Sequence, residues 1–268
     1  MKGYVYYSSF EANRNGAFII DLQKEASAIG IELTLLVDDE KPEADADFIL
    51  YRDRNHERSA GWEDAGFRIF NRSEVNRVAN HKLRTFEFAT MLGIQAIPTK
   101  RVQEVTDIRT YPIVLKTVDG HGGNEVVRCE SSHDAKVFLK EFSNRELIMQ
   151  PFIQSGSTDV RVFMMGNEVL GAVKRIGNDS FKSNYTLGGT VEKYELVNWQ
   201  VKEVTMITQV LKSDYIGIDF LLLPDGRWIL NEIEDPVGAR SMYATHDFSV
   251  ARKLLNYINE EINMLVRM

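Results

Sequence analysis

The segment that decides the fold runs from residue 217 to residue 235 and reads GIDFLLLPDGRWILNEIED. Two apolar stretches flank Asp225-Gly226, a dipeptide typical of a two-residue β-hairpin loop. Such a loop sets the pairing of the two strands so that Asp219 lies opposite Glu232. Glu234 follows two residues later, and strand alternation puts it on the same face. We therefore predict a hairpin that gathers three carboxylates on one patch.

These carboxylates would repel one another. Directly opposed Cβ atoms in a sheet lie ~5 Å apart, and two unit charges at that distance repel by about 3 kcal/mol at an effective dielectric constant of ~20. A divalent cation removes the conflict, and magnesium bound with nucleotide phosphates prefers carboxylates of this kind. We predict that Asp219, Glu232 and Glu234 bind a metal ion. Any one of them alone would be interpreted as a solvent-facing acid on a sheet edge. A three-residue loop would change the register, so that Asp219 would no longer pair with Glu232.

Basic residues that could complement this patch lie further upstream. Lys116 ends an apolar stretch at residues 112–116 and precedes the glycine-rich run Gly120-His121-Gly122-Gly123. A lysine at a strand end beside a flexible loop can reach phosphate groups, although spacing alone does not separate it from a solvated lysine. The sequence contains no Walker A motif and no kinase His-Arg-Asp loop, so those two ways of binding ATP are excluded.

The remainder of the chain indicates an α/β protein. Strand-like runs at residues 4–7, 31–37, 47–51 and 67–70 alternate with helical spacing between Phe18 and Ile29. This pattern favours a mostly parallel sheet that is covered on both faces. The C-terminal part is α+β, with strands in hairpins and a final amphipathic helix from Phe248 to Leu265. The first third has no Gly-x-Gly-x-x-Gly, so it gives no case for a dinucleotide site.

Composition limits the class of protein. The chain has 268 residues and a net charge of −7, which argues against nucleic acid as the main partner because phosphate-backbone binding needs a basic surface. Cys129 is the only cysteine, so a reducing compartment is the simplest interpretation and a buried, unreactive side chain is expected. We find no signal peptide and no apolar run near the ~20 residues that span a bilayer. A cytoplasmic protein without membrane association is expected.

Several further motifs occur in a fixed order with those above. They are NHKLR at 80–84, LIMQPFI at 147–153, DVR at 159–161, KR at 174–175, FKSN at 181–184 and GG at 188–189. Together with Lys116 and the carboxylate hairpin, this series resembles ATP-grasp enzymes, and most closely the RimK-type carboxylate–amine (α-L-glutamate) ligases. The resemblance covers roughly residues 80 to 260.

The resemblance implies a fold and a division of the chain. An N-terminal pre-ATP-grasp domain with a parallel sheet would span residues 1–79, and the ATP-grasp domain residues 80–268. Within the latter, a small lid subdomain would take about 98–153. A catalytic and metal-binding part with an antiparallel sheet would take about 154–268.

The resemblance also implies roles for individual residues. Those of the nucleotide site are Lys82, Lys116, Gln150, Phe152, Ile153, Asp159, Lys182 and Asn184. Lys82 and Lys116 would contact the ATP phosphates and the adenine pocket, and residues 150–153 would line the adenine. Arg175 and Lys182 would be catalytic and hold the transferring phosphoryl group. Asp219, Glu232 and Glu234 would bind one or two Mg²⁺ ions, for which Mn²⁺ could substitute.

The activity that follows is an ATP- and magnesium-dependent ligase. It would join a small-molecule carboxylate to an amine, an amino acid or peptide, through an acyl phosphate, releasing ADP and phosphate. The resemblance allows a homodimer, a common state in the family. Two alternatives stay open: a kinase acting on a small hydroxyl compound, and a nucleotide-binding regulatory module without turnover. Hydroxylamine trapping distinguishes a kinase from a ligase, because only an acyl phosphate gives a hydroxamate. Release of ADP from ATP distinguishes an enzyme from a regulatory module.

Overall fold

The structure is a computed structural model that describes residues 1–123, 125–177 and 189–267. Within these ranges the strands form one parallel and two antiparallel sheets. None of the described helices is long and apolar enough to cross a membrane.

The N-terminal sheet is parallel, as predicted. Its strand order is β2-β1-β3-β4, with β1 at Lys2–Tyr7, β2 at Glu32–Val37, β3 at Phe48–Tyr51 and β4 at Ile69–Phe70. The helices of this part are α1 (Ser9–Arg14), α2 (Gly16–Ala28) and α3 (His56–Asp64). Helix α2 covers one face with Leu22 and Ala26, and Trp62 of α3 packs on the other. The predicted coverage of both faces is therefore confirmed.

Helix α3 was not predicted, because it lacks an apolar stripe. Its sequence is HERSAGWED, and Ser59 is its buried residue. The helix is instead fixed at its start by Asn55, whose side chain accepts hydrogen bonds from the backbone N–H groups of Glu57 and Arg58, both at 3.1 Å. A side-chain cap of this kind satisfies donors that the helix itself cannot pair.

The second sheet is antiparallel and small. Its order is β5-β8-β6-β7, with β5 at Lys100–Arg101, β6 at Ile113–Thr117, β7 at Val126–Cys129 and β8 at Leu147–Pro151. A 3-10 turn at Val105–Asp107 and helix α6 (Ser132–Glu141) accompany it. Phe138 of α6 packs with Leu115 and Cys129. Cys129 is fully buried, as expected.

The third sheet is antiparallel and five-stranded, in the order β11-β10-β9-β12-β13. Its strands are β9 (Thr158–Met165), β10 (Glu168–Ile176), β11 (Thr190–Lys193), β12 (Tyr215–Leu222) and β13 (Trp228–Glu234). The surrounding helices are α4 (Ser73–Ala79), α5 (Lys82–Met91), α7 (Asn198–Leu211), α8 (Arg240–Thr245) and α9 (Val250–Arg267). The division of the chain after residue 79 stays a prediction.

The two faces of the third sheet have different surroundings. Val160, Val162 and Met164 of β9 point into a core formed with α4, α5 and α7. On the opposite face, Phe163 joins the core of the N-terminal sheet, α2 and α9. Asp159 and Arg161 alternate with the first set, so they share the face of Phe163 but lie nearer the start of the strand. That end of the sheet carries the charged residues.

The hairpin of β12 and β13 has the predicted pairing but not the predicted loop. The backbone N–H of Leu223 donates to the carbonyl of Arg227 at 2.8 Å, so the loop has three residues and the two-residue prediction is wrong. At the tip Phe220 pairs with Leu230, but further along Asp219 pairs with Glu232. Asn231 is the extra residue between them, a β-bulge that restores the predicted register.

Candidate active site

Strand pairing in the third sheet assembles a row of charged side chains. Asp219 on β12 is the direct partner of Arg161 on β9 and of Glu232 on β13. On the far side of β9, Asp159 is the direct partner of Arg175 on β10. Directly paired residues point to the same face of a sheet, so the side chains of four strands meet at one place.

Asp219 lies at the centre of this row and is 1% exposed. Its Oδ1 accepts a hydrogen bond from Nε of Arg161 at 2.7 Å, and its Oδ2 accepts from Nη2 of Arg161 at 2.6 Å. Nη2 of Arg175 donates to the same Oδ2 at 2.7 Å. Burial alone would raise the pKa of Asp219, but the two guanidinium groups lower it to about 2. The carboxylate is therefore ionised at neutral pH.

The three predicted metal ligands lie together. One carboxylate oxygen each of Asp219, Glu232 and Glu234 lies within 4.8 Å of the others. Arg161 also forms an ion pair with Glu234, whose own pKa is raised by burial against the opposing effect of that arginine. The arrangement suits a hard divalent cation, which takes carboxylate oxygens as ligands.

The charge balance of the row also leaves room for a cation. With Asp159 included, the row itself holds four carboxylates and the two guanidinium groups of Arg161 and Arg175, an excess of two negative charges when all are ionised and before the lysines that approach the row are counted. Arg161, which is a partial counter-charge to the carboxylates, was not predicted. Alternation within DVR puts Asp159 and Arg161 on one face, and that signal was present in the sequence.

Two lysines approach the carboxylates, Lys116 from β6 of the second sheet and Lys82 from the start of α5. Nζ of Lys116 lies 3.4 Å from Oδ1 of Asn231, the bulge residue, and Nζ of Lys82 donates to the carbonyl of Gly120 in the glycine-rich run. Burial lowers the pKa of Lys116 to about 8, with Glu232 opposing the shift. Burial also lowers the pKa of Lys82, again against Glu232. Both ammonium groups therefore lie within electrostatic reach of Glu232.

The predicted adenine-side residues lie at the end of β8 and directly after it. Gln150 is 4% exposed, and its Nε2 donates to Oγ1 of Thr99 at 2.8 Å. The guanidinium carbon of Arg128 lies 3.9 Å from the centroid of the Phe152 ring. A stacked pair of this kind offers a flat, partly cationic wall.

A cavity of about 670 Å³ is lined by the carboxylates, by Arg161 and Arg175, by the two lysines and by residues 150–153. Such a volume is within the range of small-molecule and cofactor sites. The predicted residues in its wall are Lys82, Lys116, Gln150, Phe152, Ile153, Asp159, Arg175, Asp219, Glu232 and Glu234. The other two, Lys182 and Asn184, lie outside the described residues.

The opposite wall of the cavity was not predicted. It comes from the N-terminal sheet and from the segment after β13, and it includes Tyr7, Arg52, Arg54 and Arg240. Tyr7 ends β1 and Arg52 follows β3, so both lie at the carboxyl edge of the parallel sheet, where α/β proteins bind ligands. Applied to the predicted parallel strands, that rule could have identified Tyr7 and Arg52 from the sequence.

Comparisons with known proteins agree with this geometry. Residues 79–258 match the family described as RimK-like ATP-grasp domain. The chain is 27% identical to an uncharacterized protein of Mycoplasma genitalium, covering 89% of this chain and 85% of that protein. It is 23% identical to the alpha-aminoadipate–LysW ligase LysX of Sulfurisphaera tokodaii, covering 81% of this chain and 82% of that protein.

Solved structures show the same fold. D-cycloserine synthetase DcsG superposes with a TM-score of 0.76 at 16% identity, covering 98% of this chain and 100% of that one. The ATP-grasp ligase PsnB, complexed with minimal precursor, Mg and ADP, gives 0.72 at 13% identity, covering 97% and 98%. The match over residues 79–258 is more than half of the chain. The chain therefore belongs to the RimK-like ATP-grasp family.

Proposed function

We propose that this protein is an ATP- and magnesium-dependent, ADP-forming ligase that joins a carboxylate to an amine. The observation that carries the proposal is the position of the carboxylate cluster. Asp219, Glu232 and Glu234 lie in the wall of the same cavity as Lys82 and Lys116. The relative named as an alpha-aminoadipate–LysW ligase and the ligase solved with Mg and ADP support the same class of activity.

The cluster supplies the ligands for magnesium. Asp219 is ionised and immobilised by two arginines, while Glu232 has no ion pair within the described part of the chain. Bound there, magnesium would neutralise charge on the nucleotide phosphates. Arg161 would then lose its contact with Glu234 and keep its contact with Asp219.

The lysines and the end of β8 form the nucleotide side. Lys116 and Lys82 are half-buried in the wall that also holds the glycine-rich run, so they are placed to hold phosphate oxygens. Residues 150–153 line the adenine in this proposal, with the side chain of Gln150 fixed by Thr99. Lys182 and Asn184 keep the roles that the family resemblance gives them.

The reaction has two steps. An oxygen of the substrate carboxylate attacks the γ-phosphorus of ATP, the bond from that phosphorus to the β,γ-bridging oxygen breaks, and ADP leaves. The amine nitrogen then attacks the carbonyl carbon of the acyl phosphate, phosphate leaves, and the nitrogen loses a proton to give the amide. Catalysis of phosphoryl transfer depends mainly on positioning and charge. Arg175 supplies that charge, held in place by Asp159 at 2.6 and 2.8 Å.

The decisive experiment is hydroxylamine trapping during ATP turnover. A panel of carboxylates and amines is screened for ADP release, and hydroxylamine is then added in place of the amine. A ligase gives a hydroxamate, because hydroxylamine attacks the acyl phosphate. ADP release without hydroxamate would indicate a kinase. Nucleotide binding without any formation of ADP from ATP would indicate a regulatory module.

A variant tests the role of Arg175. Arg175→Lys keeps the positive charge in a core that holds two carboxylates, and it should lower kcat by roughly 10³-fold or more. Arg101→Gln is the matched control, because Arg101 pairs with Glu146 outside the cavity with 65% of its side chain exposed. Undiminished turnover by a folded Arg175→Lys protein would remove the assignment.

A further inference from the structure

A buried carboxylate lies directly after the proposed metal ligands and has no part in the proposed reaction. Asp235 follows Glu234 in the chain and is 3% exposed. Its Oδ1 accepts a hydrogen bond from Nδ2 of Asn71 at 2.8 Å, and its Oδ2 accepts one from Nδ2 of Asn76 at 3.0 Å. Within the described part of the chain, no basic side chain forms an ion pair with Asp235. A buried carboxylate without a paired cation costs folding free energy, which favours a role in the neighbouring site.

The backbone of Asp235 is held as well. Its carbonyl accepts a hydrogen bond from Nδ2 of Asn80 at 2.6 Å, and the next residue is Pro236, whose ring restricts the backbone. Nδ2 of Asn80 also donates to the carbonyl of Asn76 at 3.0 Å, so these two asparagines support each other. The side chains of Asn71, Asn76 and Asn80, which we call the asparagine clamp, therefore fix both the side chain and the main chain of Asp235.

The position of Glu234 in the third sheet explains why such support matters. Glu234 is the last residue of β13, and β13 is an edge strand. It pairs with Gly217 of β12 on one side, and none of the described strands pairs with it on the other. The end of an edge strand opens more easily than a strand between two neighbours. The clamp holds the residue that directly follows this end.

Asn71 connects the clamp to the strand that carries Asp219. Its Oδ1 accepts hydrogen bonds from the backbone N–H groups of Asp214 and Tyr215 at 2.5 and 2.9 Å, and its Nδ2 donates to the carbonyl of Tyr215 at 2.6 Å. Tyr215 begins β12, four residues before Asp219. With the bond to Asp235, all four hydrogen-bonding positions of the amide are used. One buried side chain therefore fixes the start of β12 relative to the end of β13.

The clamp acts from outside the cavity. Among the described residues that form the cavity wall, none belongs to the clamp, and Asp235 is not one of them either. Asn71 directly follows β4, and Nδ2 of Asn76 donates to the carbonyl of Asp53, shortly after β3, at 2.7 Å. The clamp therefore ties the metal-binding hairpin of the third sheet to the N-terminal sheet.

We infer that Asp235 is a positioning residue of the proposed metal site, through which the asparagine clamp holds Glu234 in place as a ligand. The inference rests on the proposed function, because it concerns the magnesium ion that this function requires. Magnesium demands a coordination geometry close to an ideal octahedron, so a small displacement of one carboxylate weakens its binding. Substitutions outside the cavity should therefore lower the affinity for Mg²⁺ without removing any ligand.

The Asp235→Asn variant tests the inference. It keeps the size of the side chain, but an amide offers one oxygen where two donors approach, so either Asn71 or Asn76 must withdraw. Calorimetric titrations of ADP at a series of Mg²⁺ concentrations should give an affinity for Mg²⁺ at least about 10-fold below that of the wild type. ADP binding without magnesium should change by less than about threefold, because the proposed nucleotide contacts are made elsewhere. A merely structural residue would lower the stability and leave both affinities of the folded protein unchanged.

A control variant separates positioning from a general loss of stability. Thr208 is fully buried on α7, and its hydroxyl donates to Oδ1 of Asn167 at 3.0 Å, away from the cavity wall. Thr208→Val removes this buried hydrogen bond, so it should lower the midpoint of urea unfolding. It should leave the affinity for Mg²⁺ unchanged.

Two further variants locate the effect in the clamp. Asn76→Asp sets two carboxylates against each other and should weaken Mg²⁺ binding as Asp235→Asn does. The double variant Asp235→Asn with Asn76→Asp interchanges donor and acceptor, so it should recover part of the affinity. Asn80→Ala, at a half-buried position, removes the hydrogen bond to the Asp235 carbonyl and should also weaken Mg²⁺ binding, which keeps the test available if Asp235→Asn fails to fold.

The outcomes are distinguishable. An affinity for Mg²⁺ equal to that of the wild type in folded Asp235→Asn or Asn80→Ala would overturn the inference, and so would an equal loss in Thr208→Val. A wild-type protein that binds ADP but no Mg²⁺ would instead contradict the proposed function, and the inference would fall with it.

Discussion

Replacing Glu232 by glutamine separates metal binding from stability. One oxygen of each cluster carboxylate lies within 4.8 Å of the others. At that distance two unit charges repel by about 3.5 kcal/mol at an effective dielectric constant of ~20. The neutral glutamine amide would remove two repulsions of this order, with Asp219 and Glu234, and would also lose the attraction to Lys116 and Lys82. These contributions have opposite signs, and solvent screens both because Glu232 is only partly buried.

The expected result is a protein that is no less stable but has lost its ligand. Without nucleotide, the free energy of unfolding of Glu232→Gln should stay within about 1 kcal/mol of the wild type or rise. The affinity for ADP in the presence of Mg²⁺ should fall at least about 10- to 100-fold, the loss that even residues orienting a metal ligand cause. If Glu232 were a purely structural acid, the substitution would lower the free energy of unfolding and leave the affinity for ADP unchanged.

Urea unfolding and isothermal titration calorimetry measure the two quantities. Glu260→Gln is the matched control, because Glu260 is exposed on α9, and it should change neither. The reasoning is refuted if Glu232→Gln binds magnesium and ADP as tightly as the wild type, or if it loses more than about 2 kcal/mol of stability.

Four further predictions concern the same region. Asp219→Asn should lower the free energy of unfolding by about 3–5 kcal/mol in urea, because it leaves two buried arginines short of a charged partner; a loss below about 1 kcal/mol would contradict this. Because the pKa of Lys116 is lowered to about 8, ADP affinity measured by calorimetry should weaken as the pH rises through 8, and Lys116→Met should abolish that dependence. The Lys116 amine also binds its proton more weakly in the folded protein than in the unfolded chain, so Lys116 should make the free energy of unfolding rise with pH between about 8 and 10.5. Urea unfolding of the wild type and of Lys116→Met at several pH values measures this difference. Gly217→Ala would place a Cβ atom 2.6 Å from Cγ2 of Val237 and should cost about 1–3 kcal/mol in thermal unfolding. Gly61→Ala meets nothing within 4 Å in helix α3 and should not destabilise the protein; equal effects of the two substitutions would argue against the steric explanation.

The fold class could be predicted from the sequence, because apolar periodicity reports burial directly. The strands of the N-terminal sheet and the amphipathic helix α9 follow from spacing alone. Helix α3 shows the limit of that signal. It buries little apolar surface and depends on the capping side chain of Asn55, and capping residues also occur in ordinary turns.

The metal cluster could be predicted because it lies within one hairpin. Asp219 and Glu232 are direct partners, as expected. The contact of Asp219 with Arg161 was missed because it joins strands that are far apart in the sequence, although alternation already placed Arg161 beside Asp159. Arg52 was harder still. Its contact with Val237 spans 185 residues, and a local pattern contains no information about such a distance.

The bulge at Asn231 has a consequence for how this hairpin can change in length. Without it, the three-residue loop would pair Asp219 with Asn231, and Glu232 and Glu234 would turn into the apolar core on the other side of the sheet. The loop and the bulge are each one residue longer than the simplest hairpin. Deleting Asn231 would place Glu232 directly after Leu230, so regular pairing from the same loop would still set it opposite Asp219, and deleting one loop residue would leave the strand pairs as they are. The ligand set should therefore tolerate the loss of either residue.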